Sequence, residues 1–297
     1  MYRAKTGGRG QVALFNPEMH AEAARLNDLR SNLALAVERQ QLALVYQPIV
    51  EIASGRIVGA EALVRWHRGK DLISPAEFIP IAEETGLIVP IGDWILQTAC
   101  TQVAAWARSG LPDLKVSVNV SPRQLQEPDF SSRVERVLEK ELLDASQLEL
   151  EVTETALMKN KEVVADTIAK LDRMGVGFAL DDFGTGYSSI EHLRRFAFRT
   201  LKIDRSFVAG LPADSKSAAV AGGLIELAHQ LGLSVTAEGV ETSQQLHFLK
   251  LLDCDRVQGY LVSRPLAPDA FAKLLSSQTS LFKTVATEAR SAVASVG

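Results

Sequence analysis

The residues of this chain best suited to chemistry are acidic and widely spaced: Glu61, Glu151, Glu154, the adjacent pair Asp181 and Asp182, and Glu238. Two amides, Asn119 and Gln258, and one lysine, Lys202, sit in similar places, each near the end of an apolar run. Oxygen donors with no histidine or cysteine among them suit a hard cation such as Mg²⁺ or Mn²⁺ over zinc. The set holds more carboxylates than one ion needs. An aspartate shared between two cations about 3.5 to 4 Å apart is an arrangement that stabilises the attacking and leaving oxygens of phosphodiester cleavage. In such a site Lys202 could orient the attacking water or balance charge on the phosphate, and Glu238 could ligate a cation or accept a proton. Taken singly, each of these residues also reads as a satisfied structural group.

The elements that must position them are recognisable from periodicity. The stretch VGFALDDFGTGYSS, from Val176 to Ser189, is an apolar run ending in two carboxylates and then in Gly184 and Gly186. A continuous hydrophobic run marks a strand covered on both faces, and its terminal charges need a cation or donors to meet them. The same unit recurs: an apolar strand, a polar residue near its C-terminal end, then an amphipathic helix. Strands are expected in LALVYQPIV, IVGAEALVRW, KVSVNVS, LELEVTE, GVGFALDD, RTLKIDRSFV, SVTAEGV and RVQGYLVSRPL. Helices are expected over Pro17–Gln41 (one or two), Ile91–Ser109, Ser131–Glu141, Lys161–Met174, Ser217–Leu233, from Thr242 to Leu252, and over Pro268–Ser276. Ser74 to Glu77 and Thr242 to Gln245 have the spacing of capping boxes, and Gly222–Gly223 is expected to be a close-packing site. Eight strands alternating with helices predict a TIM-type α/β barrel, whose site lies at the C-terminal ends of the strands. The anomalous polar residues fall there.

Composition bounds the function. With 297 residues and 46% hydrophobic content, the chain can bury one barrel-sized core. A net charge of -4 gives no support to binding of DNA or RNA polymers. Cys100 and Cys254 lie in apolar patterns far apart, as buried free thiols of a reducing compartment do. No run of about 18 apolar residues is present, so a cytoplasmic segment without membrane contact is expected.

The pieces YQPIV, Glu61-Ala62-Leu63 with Arg65, SVNVS, EVTE, DDFGTGYSS, LKID, AEGVE and QGY resemble, in order, the EAL-domain family of cyclic di-GMP phosphodiesterases across roughly Leu42 to Leu275. The resemblance implies a TIM-like barrel with its first strand antiparallel. It also implies Mg²⁺- or Mn²⁺-dependent hydrolysis of cyclic di-GMP to linear pGpG, with Ca²⁺ inhibitory. Position by position, Glu61, Asn119, Glu151 and Asp181 would ligate one ion, and Asp181, Asp182 and Glu238 would surround a second. Lys202 would contact the attacking water, so Lys202, Glu238 and Glu61 form the catalytic set. Gln47, Leu63, Arg65, Gln258 and Pro265 would line the substrate, Arg65 through its paired donors to phosphate. Glu154 and Glu241 would support the loop after Asp182, with Thr185, Ser188 and Ser189 offering hydroxyls to Glu154, near a contact between two copies in a homodimer. Met1 to Phe15 is similar to the end of a GGDEF, or diguanylate cyclase, domain. The expected organisation is therefore a remnant at 1–16, linker or capping helices at 17–41, the barrel at 42–277 and a tail at 278–297, with GGDEF or sensor domains upstream. The residues leave two other readings: a receptor that binds cyclic di-GMP without cutting it, and a barrel aldolase using Lys202 as a Schiff base. A chelator separates the latter from a metal hydrolase.

Overall fold

In the computed structural model of the chain, residues 17–158, 160–184, 193 and 195–277 are described. The expected remnant at 1–16, the hydroxyls of Thr185, Ser188 and Ser189, and the tail from 278 lie outside them.

Helix α1 (Pro17–Leu33) leads into strand β1 (Leu42–Glu51), β2 (Ile57–Arg68) and a short β3 (Asp71–Ile73). Helices α2 (Pro75–Thr85) and α3 (Ile88–Arg108) precede β4 (Lys115–Asn119), and α4 (Pro122–Leu125) and α5 (Phe130–Glu141) precede β5 (Leu148–Thr153). Then come α6 (Glu154–Met158), α7 (Lys161–Arg173), β6 (Gly177–Phe183), β7 (Thr200–Ile203), α8 (Arg205–Val208) and α9 (Ser215–Gln230). Strand β8 (Ser234–Ala237), α10 (Ser243–Leu251), β9 (Arg256–Val257) and α11 (Pro268–Ser276) complete the described chain.

The nine strands form one sheet in the order β1-β9-β8-β7-β6-β5-β4-β2-β3, and β1 also pairs with β2. That pairing closes the sheet into a barrel of eight strands, with β3 hung outside as a hairpin on β2. Strand β1 is antiparallel to both neighbours, while the pairs from β2–β4 through β8–β9 are parallel. Both are as the resemblance implies. Strands β5 and β6 are buried without interruption from Leu148 to Val152 and from Gly177 to Leu180, as the continuous runs require. Aromatic rings fill the outer layer where α3 and α11 cover β1: Tyr46 meets Trp106 edge-on at 4.9 Å, and Trp106 stacks on Phe271 at 4.8 Å.

Several expected details differ. The Thr242–Gln245 capping box forms, but Ser74 makes no side-chain cap: the Glu77 N–H donates to the Ser74 carbonyl oxygen at 2.9 Å instead, and the Glu77 carboxylate is paired with Arg25 of α1. Asp28 pairs with Arg68 and Arg30 with Glu84 (3.1 Å), so α1 is pinned across α2 and the β2 hairpin. A Cβ on Gly222 would meet Leu252 at an ordinary 3.5 Å and one on Gly223 would meet nothing within 4 Å, so the glycine pair is not a close-packing site. The run RTLKIDRSFV is a strand only to Ile203, because Asp204 accepts a hydrogen bond from Ser206 N at 2.9 Å and starts α8. RVQGYLVSRPL is a strand only at Arg256–Val257. After it, Gly259 passes so close to Val240 that a Cβ would stand 2.1 Å from the Val240 carbonyl oxygen.

Candidate active site

Parity alone would send Asp181 and Asp182 to opposite faces of β6. The structure breaks parity there. Register against β7 runs Leu180 to Leu201 and then Phe183 to Ile203, an extra residue on β6. Asp182 takes the left-handed conformation (φ 55°), which a short polar side chain tolerates, so the bulge breaks the alternation of faces at the second aspartate. Burial and the charges of Asp181 and Asp204 hold Asp182 above the ordinary aspartate range.

The ammonium of Lys202, on β7 and 2% exposed, sits where four carboxylates meet. It lies 2.5 Å from Glu151 Oε2, 2.6 Å from Glu238 Oε1, 3.6 Å from Asp181 Oδ2 and 3.8 Å from Glu61 Oε2. Burial alone would lower the pKa of Lys202, but these four carboxylates push it well above its usual value. Burial and the neighbouring charge of Glu61 push Glu151 strongly up, and burial raises Glu238 to about 7 despite its ammonium partner. Burial works the same way on Glu61, yet Lys202 and the Gln258 and Asn119 donors outweigh it and hold this carboxyl below its ordinary range.

Glu61 is the best-clad of the group. Asn119 Nδ2 donates to its Oε1 at 2.7 Å and Gln258 Nε2 to its Oε2 at 2.6 Å. Gln258 Nε2 also reaches Gln47 Oε1 at 3.1 Å, and Gln47 Nε2 donates to Ser263 O at 3.3 Å. The sequence-predicted positions Gln47, Glu61, Asn119, Glu151, Asp181, Asp182, Lys202, Glu238 and Gln258 are thus brought together. Glu154 is buried but opens α6, past the strand end, and Glu241 pairs with Arg205 at 3.1 Å. Pro265 precedes Leu266, whose backbone bridges to Tyr46 of β1.

Two cavities open on the cluster and share Leu63. One, of about 230 Å³, is lined by Gln47, Glu61, Asp181, Glu238, Glu241 and Gln258 together with Arg205 and Tyr260. The other, of about 280 Å³, is largely apolar and runs from Asn119 and Glu151 past Arg65 to Ile79, Ile88 and Ile95. Arg65 lines it with its Nη1 bonded to Val64 O at 2.9 Å. Sequence reasoning missed Arg205 and Tyr260. The signal for Arg205 was its place directly after LKID, where a barrel strand ends at the mouth.

Among the described residues no group of three acidic, histidine or cysteine side chains is already arranged around a vacant metal position. The carboxylates turn instead toward the Lys202 ammonium, a positive charge at their centre. They nonetheless fit a divalent cation. Glu151 Oε1 is buried with no hydrogen-bond partner, and the surrounding donor set is oxygen only. Glu61, Asn119, Glu151, Asp181, Asp182 and Glu238 are the residues that could hold such ions.

The EAL domain family matches residues 30–265. The chain belongs to the EAL-domain family. It is 42% identical over 267 residues to the bifunctional diguanylate cyclase/cyclic di-GMP phosphodiesterase MucR of Pseudomonas aeruginosa, covering 90% of this chain and 39% of MucR. It is 40% identical over 276 residues to the cyclic di-GMP phosphodiesterase NbdA of the same organism, covering 93% of this chain and 35% of NbdA. Among solved structures, the PaMucR phosphodiesterase in complex with c-di-GMP matches with a TM-score of 0.78 at 42% identity, over 82% of this chain and 99% of that one. The EAL enzyme Bd1971, bound to cAMP, matches with a TM-score of 0.80 at 33% identity, over 87% of this chain and 72% of that one. The chain spans about a third of the length of the curated relatives it matches. No helix among the described residues of this EAL domain is long and apolar enough to cross a membrane.

Proposed function

We propose that this EAL domain hydrolyses one phosphodiester of cyclic di-GMP to linear 5′-pGpG, using two Mg²⁺ or Mn²⁺ ions. The observation that carries this reading is the oxygen-only cluster around Lys202, in which a buried Glu151 oxygen lacks any donor. The names of relatives that cover most of this chain support it from a second side. The two ions, when bound, supply Lewis-acid stabilisation of the attacking and leaving oxygens.

The chain's own residues have separable tasks. Glu61, Asn119, Glu151 and Asp181 would hold the first ion, and Asp181, Asp182 and Glu238 would hold the second. Asn119 and Gln258 fix both oxygens of Glu61, so this ligand is pre-oriented. Lys202 orients the attacking water, and Glu238, at 2.6 Å from the Lys202 ammonium, stands beside it to ligate the second ion or to take a proton. Gln47, Leu63, Arg65, Gln258 and Pro265 receive the substrate, the apolar cavity behind Leu63 and Arg65 excluding water from one end of it. Glu154 and Glu241 support the loop after Asp182.

The test is turnover of cyclic di-GMP with Mg²⁺, Mn²⁺, Ca²⁺ or EDTA. Production of pGpG with the first two and none with the others is expected. Binding without turnover under every condition would make the domain a receptor. A homodimer, upstream GGDEF or sensor domains and a cytoplasmic location belong to the same proposal, the dimer being read by light scattering.

A further inference from the structure

We infer that Arg205 anchors the phosphate of the dinucleotide that is not being cut, an inference that rests on the phosphodiesterase reading above. The cavity holding the mouth-side carboxylates is ringed by Glu61, Asp181, Glu238 and Glu241, and Arg205 is the one cationic side chain among its described lining residues. A cyclic dinucleotide brings two anionic phosphates into that ring. Ions held by the cluster would neutralise the scissile one. The other would face Glu238 and Glu241, and since Arg65 lines the neighbouring cavity, Arg205 is the arginine placed to meet it in this one.

Three features of Arg205 suit that task. Asp204 caps α8 and so starts this helix at the strand's end, placing Arg205 at the rim. Its stem is held by Gly239: a Cβ there would stand 2.4 Å from Arg205 Cγ and 2.7 Å from Arg205 Cβ, and the left-handed φ of 64° at residue 239 favours glycine as well. Its guanidinium is paired at 3.1 Å with Glu241, but the pair is open to water, with side chains 63% and 41% exposed. Exposed pairs of this kind contribute little, so an incoming phosphate, which accepts paired donors from a guanidinium, can take the fork without a large loss. Glu241 then aims the arginine in the free protein.

The experiment measures cyclic di-GMP affinity in Ca²⁺ by calorimetry and steady-state turnover in Mg²⁺ for the wild type, Arg205→Ala, Arg205→Lys, Gly239→Ala and the double variant Arg205→Ala/Gly239→Ala. Arg205→Ala should weaken Kd and raise KM by about 10-fold, the scale of one hydrogen bond to a charged group, with kcat changed by less than about 3-fold. Arg205→Lys should recover part of the loss, since it restores charge without the fork. Gly239→Ala should reproduce the affinity loss by displacing the stem, and the part of its effect that goes through the stem should vanish in the Arg205→Ala background, leaving only the backbone strain of a left-handed alanine. Melting temperatures identify any variant that fails to fold, and Arg205→Lys tests the inference without disturbing the glycine. Unchanged Kd and KM in Arg205→Ala, with the wild type active, would overturn the assignment and leave a structural ion pair. A wild type that neither binds nor cuts cyclic di-GMP would overturn the functional reading itself.

Discussion

Replacing Lys202 by Met removes the ammonium while keeping most of the stem's volume. In the metal-free protein this leaves Glu61, Glu151, Asp181 and Glu238 facing one another, two of them having been within 2.6 Å of the lost charge. Gross Coulomb energies at such distances are large, but the carboxylates can take up protons. The net cost is therefore closer to the ~3–5 kcal/mol measured when one partner of a buried pair is removed. For a domain of this size about 1 kcal/mol moves Tm by ~2–4 °C, so a loss of roughly 10 °C is expected at pH 8 in EDTA. Two rescues follow from the cause. At pH 5.5 Glu238, whose carboxyl is raised to about 7, is mostly neutral, and burial shifts Glu151 in the same direction, so the loss should shrink. Saturating Mn²⁺ should stabilise the variant more than the wild type, since no ammonium competes for the same oxygens. Turnover should fall far more than cyclic di-GMP affinity. Thermal melts at both pH values, with and without Mn²⁺, decide the matter. An equal Tm loss at both pH values, unmoved by the metal, would refute the electrostatic account and point to repacking of the methylenes.

Glu61→Ala removes a carboxylate that holds Asn119 and Gln258, so turnover should vanish while the barrel still folds; Mg²⁺-dependent pGpG production at even a hundredth of the wild-type rate would sink its assignment as a ligand. The raised carboxyl of Glu238 gives a pH dependence of definite sign. A folded-state value near 7 against an ordinary 4.5 means the folded protein holds that proton more tightly, so its stabilising contribution is complete below about 4.5 and lost as pH rises toward 7 in the metal-free protein. Metal must displace the same proton, so apparent Mn²⁺ affinity should rise between pH 6 and 8 with proton release detectable by calorimetry in two buffers; a flat profile would contradict the shift. Burial raises both thiols to about 12, so Cys100 and Cys254 should resist a thiol reagent at pH 8 until the protein is denatured. Glu154→Ala should weaken apparent Mg²⁺ affinity and lose most turnover while retaining binding in Ca²⁺, which a rate titration against Mg²⁺ would check.

Much of this fold was legible because a barrel strand carries its information in a few residues. The uninterrupted burial of Leu148–Val152 and Gly177–Leu180 is what the apolar runs demanded. The polar residues that interrupted or ended such runs, Lys202, Glu238 and Gln258 among them, do meet at one end. Less legible was anything set by a competitor distant in sequence. The Ser74–Glu77 spacing is sound locally, but Arg25, 52 residues earlier, takes the glutamate. The eighth strand was over-read because QGYLV is apolar enough to pair, while the backbone instead loops past Val240 with Val240 N bonded to Gln258 O at 3.1 Å. Adjacent aspartates could be placed at the end of β6 from sequence, but not the break in alternation at the second of them. That took a bulge and a left-handed Asp182, which no period of two encodes.

The same reasoning explains why the cluster contains a lysine at all. Buried carboxylates without a counter-charge would raise one another's pKa and oppose folding before any metal arrived. An ammonium within 3.8 Å of four of them lets the barrel close in the metal-free state, and four partners hold that lysine charged despite its burial. It cannot satisfy every oxygen. Glu151 Oε1 stays without a donor, and Glu238 stays poised near neutrality, so the site remains receptive to a stronger cation. A lysine that permits folding and, in the function proposed here, orients the attacking water needs no second residue for either task. Stability and turnover should therefore fall together on its removal, and only stability should return with Mn²⁺.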